Sequence, residues 1–103
     1  MVRVSGELDL ATHERLGEQL ATAAKGEEPI IVDLSRCGFI DSSGIRVLLL
    51  GAKNAAEGDI PSASGRFSIA GPGPQVLRIL EMTGLEKAVP VHDSLEAALD
   101  SLD

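Results

Sequence analysis

The sequence predicts an α/β domain in which short strands alternate with helices along the whole chain. Three observations support this fold class: β-branched or alternating apolar segments recur, amphipathic segments with helical spacing separate them, and glycine or proline marks most boundaries. The chain has 103 residues, which is enough for one compact domain spanning residues 1–103 and not for two. We therefore expect a single sheet whose strands are joined by right-handed crossovers.

A short strand and an amphipathic helix form the first predicted unit. Val2–Ser5 alternates apolar and polar residues, and Gly6 is expected to end the strand. Thr12 is the predicted N-cap of the helix, which ends at Lys25-Gly26 with a basic last turn and a glycine. The apolar positions at helical spacing are Leu16, Leu20, Ala21 and Ala24.

A buried strand and a strongly apolar helix follow. Ile30–Leu34 is almost continuously apolar, which is typical of a strand covered on both faces, and Ser35–Gly38 is expected to be a loop. The next helix begins at Asp41-Ser42-Ser43-Gly44 and ends at Glu57-Gly58. Eight of the twelve residues from Ile45 to Ala56 are apolar, so this helix is either deeply buried or keeps an apolar strip for a partner.

The second half of the chain predicts a third strand and a third helix. Asp59–Gly65 reads as a surface loop, and Arg66–Ala70 alternates as a strand. Gly71–Pro74 breaks that strand and opens a helix that ends at Gly84. The apolar residues on or near one face of this helix are Val76, Leu77, Leu80 and Met82.

A weak strand and a final helix complete the prediction. The strand covers Ala88–Val91, and Pro90 is expected to confine it to an edge of the sheet. Asp93 and Glu96 form a pair like a capping box at the start of the helix. The apolar residues that line this helix are Leu95, Ala98, Leu99 and Leu102.

Composition and charge exclude several classes of function. The net charge is −7 and the pI is near 4.7, so the chain lacks the positive field that nucleic acids and anionic membranes require of a partner. No apolar segment approaches the roughly 20 residues of a membrane span, and the first residues do not resemble a signal peptide. Cys37, taken as an ordinary loop residue, has no disulfide partner, and with two histidines beside it a metal site is not expected. We expect a cytoplasmic protein with an aliphatic core and no cofactor.

Catalysis is not expected from the serines, the histidines or the glycine-rich turn. Ser42 or Ser43 would need a base to act as a nucleophile, but His13 and His92 lie in polar segments typical of solvated surface, and the Gly-x-Ser-x-Gly turn is absent. Gly71–Pro74 has no third glycine at the required spacing, and its prolines remove two amide donors. We interpret it as a structural turn, and the protein as one that is not an enzyme.

The segment Asp41-Ser42-Ser43-Gly44 is the most informative part of the sequence. It joins a buried strand to a helix, so its hydroxyls lie at the positive end of a helix dipole. One interpretation is that a serine only caps the helix. The other is that a serine accepts a phosphoryl group, which free amides and the dipole would tolerate but which would repel an acidic or apolar partner. Such a site would act as a reversible binding switch.

Five segments of the chain occur in the order that one protein family shows. The most specific is Asp41-Ser42-Ser43-Gly44 after a hydrophobic strand. The weaker ones are Gly6–Asp9, Ile31–Ser35, Gly71-Pro72 with Val76 and Leu80, and Met82–Leu85. With these residues the sequence resembles the STAS-domain family, and most closely its anti-sigma factor antagonists. The resemblance implies an α/β fold with a mixed β-sheet of four or five strands and α-helices packed mainly on one face.

The resemblance also implies a function controlled by phosphorylation. The unphosphorylated antagonist would bind an anti-sigma factor, a serine kinase of the GHKL ATPase type, and so release the sigma factor. The kinase would phosphorylate the antagonist, and a phosphatase would reverse the modification. Carried over by position, the phosphoacceptor is Ser43, with Ser42 as the alternative. The implied surroundings of the phosphosite are Asp9, Asp41, Gly44 and Arg46, and the implied docking surface contains Ile45, Arg46 and Leu49.

Two departures from the family pattern carry expectations of their own. The family usually has a strand before the one at Val2–Ser5, and this chain begins too late to contain it. Either the start is truncated, or a bare sheet edge favours a homodimer or strand exchange. Arg46 stands where many members have a small residue, and it could either pair with a phosphate on Ser43 or be a solvated arginine. An alternative function is a STAS-like structural subunit of a lipid-transport ABC complex or of a stress-signalling particle.

Overall fold

The structure, a computed structural model, describes residues 2–26, 29–56 and 67–101, and within them it contains four strands and five helices. The strands are β1 (Val2–Leu8), β2 (Ile30–Ile40), β3 (Phe67–Ala70) and β4 (Val91–His92). The helices are α1 (His13–Ala24), α2 (Ser42–Ala56), α3 (Pro74–Thr83), α4 (Leu85–Ala88) and α5 (Leu95–Asp100).

The sheet has the strand order β1-β2-β3-β4, and all three pairings between the described strands are parallel. Parallel neighbours need crossover connections, which α1, α2 and the pair of α3 and α4 supply. The α/β class and the expected number of strands are confirmed. Where the resemblance implied a mixed sheet, the described strands form a uniformly parallel one. β4 lies at an edge, as the sequence predicted from Pro90.

Four of the helices share the main core on one face of the sheet. Leu48 of α2 and Leu80 of α3 are fully buried in it, together with Leu34 of β2. On the opposite face Ala98 of α5 packs against Ile31 and Ala70 in a smaller cluster. The helices therefore lie mainly on one face, as expected, and Phe67 is the aromatic residue among the buried side chains of the described core.

β3 is buried along its whole length, although apolar and polar residues alternate in its sequence. Phe67 and Ile69 belong to the main core, while Ala70 belongs to the smaller cluster under α5. Ser68 is a buried polar residue in the same strand. Because β3 lies between β2 and β4 and carries helices on both faces, its position in the sheet decides its burial.

β1 and β2 both continue past the points where the sequence predicted their ends. β1 passes through Gly6, which has a φ of 84° next to a shift in register, and ends at Leu8. Glycine adopts this backbone conformation without strain, so the strand bends there and does not stop. Gly6 pairs with Cys37, which lies in β2 and is buried, so the predicted loop at Ser35–Gly38 is wrong. Burial raises the pKa of the Cys37 thiol.

The region after β3 agrees with the prediction at one end and departs from it at the other. α3 ends at Gly84, whose φ of 77° is typical of a glycine at a helix end, but Met82 is exposed rather than on the buried face. The backbone then turns into α4, and the strand predicted over Ala88–Val91 forms only at Val91–His92. The amide of Ile69 donates to the carbonyl oxygen of Pro90 at 2.9 Å, which holds β4 beside β3.

The last helix begins with a different cap from the predicted one. The hydroxyl of Ser94, and not the carboxylate of Asp93, accepts a hydrogen bond from the Ala97 amide at 3.0 Å. Ala98 is buried, whereas Leu99 is half exposed. The predicted helix end at Glu57-Gly58, the predicted loop at Asp59–Gly65 and Leu102 lie outside the described residues.

Two further findings concern the described ranges alone. None of their helices is long and apolar enough to cross a membrane. Their His, Cys, Asp and Glu side chains form no group of three or more that could hold a metal ion.

Candidate functional site

The candidate site lies where β1 and β2 end side by side. Leu8 pairs with Ile40 in the parallel ladder, and the Asp41 amide donates to the carbonyl oxygen of Leu8 at 3.1 Å. The segments that follow the two strands therefore begin at the same edge of the sheet. The loop before α1, residues 9–12, therefore lies against the first turn of α2.

Asp41 is the cap of α2 and also ties that helix to the neighbouring loop. Its Oδ1 accepts hydrogen bonds from the amides of Ser43 at 2.9 Å and Gly44 at 3.1 Å. Its Oδ2 accepts from the Leu10 amide at 3.2 Å. The cap is thus an aspartate, not a serine as one interpretation of the sequence had it. Two of the first-turn amides that the sequence left free for an anion already have a carboxylate partner.

Gly44 allows α2 to begin this close to the sheet. A Cβ atom at this position would lie 2.7 Å from Cγ of Leu8, 2.8 Å from Cγ1 of Ile40 and 2.8 Å from the carbonyl oxygen of Leu8. Contacts this short do not occur without displacement of the neighbours, and one of them is backbone. Glycine is therefore required here for close approach, in a helix turn where its conformational freedom plays no part.

Asp9 organises the loop before α1. Its Oδ1 accepts from the amides of Ala11 at 3.0 Å and Thr12 at 3.2 Å. Thr12 is the N-cap residue of α1, as predicted, but its hydroxyl makes no cap bond to the helix. It accepts from the Asp9 amide at 2.9 Å and donates to the carbonyl oxygen of Glu7 at 2.8 Å, with Oδ1 of Asp9 as a second acceptor at 3.2 Å. Partial desolvation would raise the pKa of Asp9, but the hydrogen bonds from Thr12 and Ala11 outweigh it and lower the pKa below its ordinary value.

The two serines lie at the mouth of a shallow cavity. Ser42 is exposed and Ser43 is half-buried, and neither hydroxyl makes a hydrogen bond within the described part of the chain. The cavity has a volume of about 210 Å³ and is lined by Leu10, His13, Ser42, Ser43 and Arg46. Neither hydroxyl is therefore committed to a contact within the described residues.

Leu10 is a site residue that the sequence analysis missed, and His13, which it interpreted as solvated surface, lines the same cavity. His13 is half-buried, and its Nδ1 lies 2.8 Å from the carbonyl oxygen of Leu10. The pairing of β1 with β2 brings both residues close to the serines in space. In the sequence, α1 and β2 lie between them and α2. The sequence shows a leucine directly after Asp9, but it does not show that this leucine is exposed or which residues lie next to it in space.

The outer face of α2 combines polar and apolar side chains. Ser42, Arg46 and Leu49 recur at helical spacing, and Leu49 is 42% exposed. Leu50 is 50% exposed and Leu10 across the cavity is 73% exposed. We call this group, Leu10, Arg46, Leu49 and Leu50, the exposed leucine surface.

For α2 the sequence predicted either deep burial or an apolar strip for a partner. The structure shows both, because one side of the helix is buried and the other exposes apolar side chains. Val47 and Leu48 belong to the core. Ile45, which the resemblance placed in the docking surface, is only 8% exposed and also belongs to the core. That assignment is corrected, whereas Arg46 and Leu49 are accessible.

The comparisons with known proteins agree with this fold. A family model described as "Mlab, STAS domain" matches residues 1–95. The chain therefore belongs to the STAS domain family, as the resemblance in its sequence implied.

Its relatives define a narrower group. The anti-sigma F factor antagonist of Paenibacillus polymyxa is 34% identical over 105 residues, which cover all of this chain and 86% of that protein. BtrV of Bordetella bronchiseptica, provisionally named an anti-sigma factor antagonist, is 33% identical over 96 residues, or 92% of this chain and 78% of BtrV. The crystal structure of an anti-sigma factor antagonist from Mycobacterium paratuberculosis matches with a TM-score of 0.81 and 28% identity, over 96% of this chain and 80% of that one.

Proposed function

We propose that this protein is a cytoplasmic anti-sigma factor antagonist whose binding is switched off by phosphorylation of Ser43. The unphosphorylated form binds an anti-sigma factor serine kinase of the GHKL ATPase type and thereby releases the sigma factor. The kinase transfers the terminal phosphoryl group of ATP to the serine Oγ, with loss of the hydroxyl proton and release of ADP. A phosphatase restores the binding form by hydrolysis. The names of the relatives support the antagonist role.

One observation carries the proposal: two unbonded serine hydroxyls lie at the start of α2 beside the exposed leucine surface. A group of three exposed leucines is typical of a protein-binding surface. A phosphoryl group adds about −1.5 to −2 charges at neutral pH. Placed among these leucines and next to the Asp41 carboxylate, that charge opposes any apolar or acidic partner surface.

The fold itself tolerates the modification. Asp41 caps α2 through the backbone amides of Ser43 and Gly44, so within residues 2–26, 29–56 and 67–101 no hydrogen bond depends on either serine hydroxyl. The phosphoryl group also lies at the positive end of the α2 dipole. A switch of this kind changes the surface and leaves the core in place.

Ser43 is preferred to Ser42 because of its place in the family motif, and both side chains line the cavity. To decide between them, the protein is incubated with its cognate kinase and ATP, and the product is mapped by mass spectrometry. We expect one phosphoryl group on Ser43, retained in Ser42→Ala and lost in Ser43→Ala. Phosphate found only outside these two serines would overturn the assignment of the switch.

A structural subunit without a phosphoswitch is the second candidate function. The description of the matching family model as "Mlab, STAS domain" and the exposure of Leu49 and Leu50 favour it. In that case the serines are ordinary surface residues at the start of α2, and the leucines form a constitutive interface. Stable co-purification with an ABC ATPase, with no phosphorylation by any kinase partner, distinguishes this function from the first.

A homodimer through β1 stays a prediction. β1 is a terminal strand of the described sheet, so its outer edge has no strand partner there. Its ladder to β2 shifts in register between Arg3 and Ser5 and again between Gly6 and Glu7. Irregular edges of this kind hinder the addition of a further strand. Sedimentation analysis of the full chain measures the oligomeric state directly.

A further inference from the structure

Two cationic or potentially cationic side chains line the same cavity as the serines. His13 comes from the first residue of α1, and Arg46 comes from the second turn of α2. Arg46 is exposed, and the ion pair in the described part of the chain joins Arg3 to Asp33 instead, at 3.9 Å. Arg46 therefore has no carboxylate partner among the described residues.

The hydrogen bond of His13 determines what its second nitrogen can do. Nδ1 lies 2.8 Å from the carbonyl oxygen of Leu10, which can only accept, so Nδ1 carries a proton and donates it. Nε2 is then the nitrogen left for a ligand. It can donate to a phosphoryl oxygen when the ring is the imidazolium, in which both nitrogens are donors.

The backbone, by contrast, has little to offer a phosphoryl group. Helix starts bind anions through their first-turn amides. Here the carboxylate of Asp41 already accepts from Ser43 and Gly44, and Ile45 donates to the carbonyl oxygen of Asp41 at 3.0 Å. Three backbone amides at the helix start are therefore already occupied, and side chains of the cavity are the further donors for a phosphoryl group on Ser43.

We propose that the phosphoryl group on Ser43 is bound by the domain itself, between the Arg46 guanidinium and Nε2 of His13. This inference rests on the proposed function, because it assumes phosphorylation of Ser43. Ser43 and Arg46 are three positions apart on one helix, a spacing at which side chains meet. Guanidinium and phosphate form strong charge-assisted hydrogen bonds, often two at once.

The consequence is a second action of the modification. Arg46 belongs to the exposed leucine surface in the unphosphorylated protein, and in the phosphorylated protein its guanidinium is bound to the phosphoryl group. The same contact joins the start of α1 to the start of α2. Phosphorylation thus adds negative charge at the surface and also withdraws a cation from it.

The test uses the full chain with phosphoserine incorporated at position 43 during translation, so that no kinase is needed. The ³¹P chemical shift is followed against pH to obtain the second ionisation of the phosphoserine, which has an ordinary pKa of about 6. Nearby cations favour the dianion and shift the midpoint to lower pH. We expect Arg46→Gln and His13→Asn each to reduce the proton dissociation constant about two- to fivefold, the range of exposed ion pairs.

The variants are chosen so that only the proposed contacts change. The Asn amide in His13→Asn can reproduce the Nδ1–H bond to the Leu10 carbonyl but has no counterpart of Nε2. Arg15→Gln, on the exposed surface of α1 and outside the cavity, removes the same charge as Arg46→Gln and is the matched control. It should leave the midpoint within the experimental error.

Equal midpoints in the unsubstituted protein, Arg46→Gln and His13→Asn would overturn the inference. A response to Arg46→Gln alone would overturn the role of His13. Failure of the proposed function is recognised separately, because the kinase would then leave both serines of the unsubstituted protein unmodified. The ³¹P result does not depend on that assay.

Discussion

Two aspartates, Asp9 and Asp41, follow two paired strands, and they do different work. Asp9 bonds to the amides of Ala11 and Thr12, so its carboxylate stays within its own loop. Asp41 bonds to its own helix and also to Leu10 in the neighbouring loop. The first aspartate shapes one turn, whereas the second fixes the position of two elements relative to each other.

The segments that follow the aspartates differ as well. After Asp9 the Thr12 hydroxyl is hydrogen-bonded to the nearby backbone, at the Asp9 amide and the Glu7 carbonyl oxygen. After Asp41 the hydroxyls of Ser42 and Ser43 have no hydrogen-bond partner in the described chain, because the aspartate alone caps the helix. The comparison teaches that a cap supplied by a preceding carboxylate leaves adjacent hydroxyls available for function.

The largest expected effect is that of Gly44→Ala, which tests how tightly the start of α2 is held against β1. The added methyl group would meet the Leu8 backbone and the side chains of Leu8 and Ile40 at less than 3 Å. Overpacking of this kind costs about 1–3 kcal/mol, more than the roughly 1 kcal/mol that alanine gains over glycine in a helix. We expect a net loss of up to about 2 kcal/mol in the free energy of unfolding, measured by urea denaturation.

Gly17→Ala in α1 is the matched control for that prediction. A Cβ at Gly17 has as its neighbour Cγ1 of Val47 at 4.0 Å, which is an ordinary contact. This substitution should therefore stabilise the protein by up to about 1 kcal/mol. If Gly44→Ala were equally stabilising, the close approach of α2 to β1 would be wrong.

Asp41→Ala and Asp9→Ala test the difference between the two aspartates directly. Loss of Asp41 removes the α2 cap and the bond to Leu10, and a lost cap costs about 0.5–2 kcal/mol. Loss of Asp9 leaves two backbone amides that water can reach, so we expect a smaller loss of stability than for Asp41→Ala. Asp41→Asn should be intermediate, because one oxygen remains to cap the helix. Equal urea midpoints for the two alanine variants would contradict the comparison.

Ser43→Asp tests whether charge at the unbonded hydroxyl prevents docking. We expect its affinity for the anti-sigma factor kinase to be about tenfold below that of Ser43→Ala, or about 1.4 kcal/mol, measured by calorimetry. Ser94→Asp, at the start of α5, adds the same charge at a helix cap outside the exposed leucine surface. It should bind as the unsubstituted protein does, and equal affinity of the two Ser43 variants would reject the charge mechanism.

The fold could be predicted from sequence wherever one pattern acts locally. Ile30–Leu34 reads as buried because its apolar run is continuous, and Gly84 ends α3 as its chemistry requires. Cys37 and Gly6 could not be predicted as strand residues, because each is held in place by the other across the ladder. A glycine that would end an isolated strand is accommodated by the register shift in a paired one.

The site could be predicted only in part for the same reason. Asp41, Ser42 and Ser43 are contiguous, so their chemistry is visible as a motif. His13 and Leu10 join them through the pairing of two strands, and no spacing in the sequence records that contact. The cap also escaped prediction, since aspartate and serine both suit a helix start and only the hydrogen bonds decide between them.

The smallest expected effect is a change in stability at acidic pH, which tests the carboxylate of Asp9. Partial desolvation opposes ionisation, but bonds from the Thr12 hydroxyl and the Ala11 amide lower the pKa of Asp9 below its ordinary value of 3.8. A lowered pKa in the folded state means that the carboxylate stabilises the fold fully above the unfolded-state value, and that this contribution is lost as the pH falls through the folded-state value. Asp9→Asn should therefore lower the urea midpoint at pH 6, and its difference from the unsubstituted protein should shrink as the pH falls below 3.8. Thr12→Val removes one of the bonds that hold the carboxylate ionised, so the pKa of Asp9, followed by NMR, should rise towards 3.8. An unchanged Asp9 titration in that variant would show that the loop is held by its backbone bonds alone, and the contrast with Asp41 would then lie in the partners of Asp41 and not in its charge.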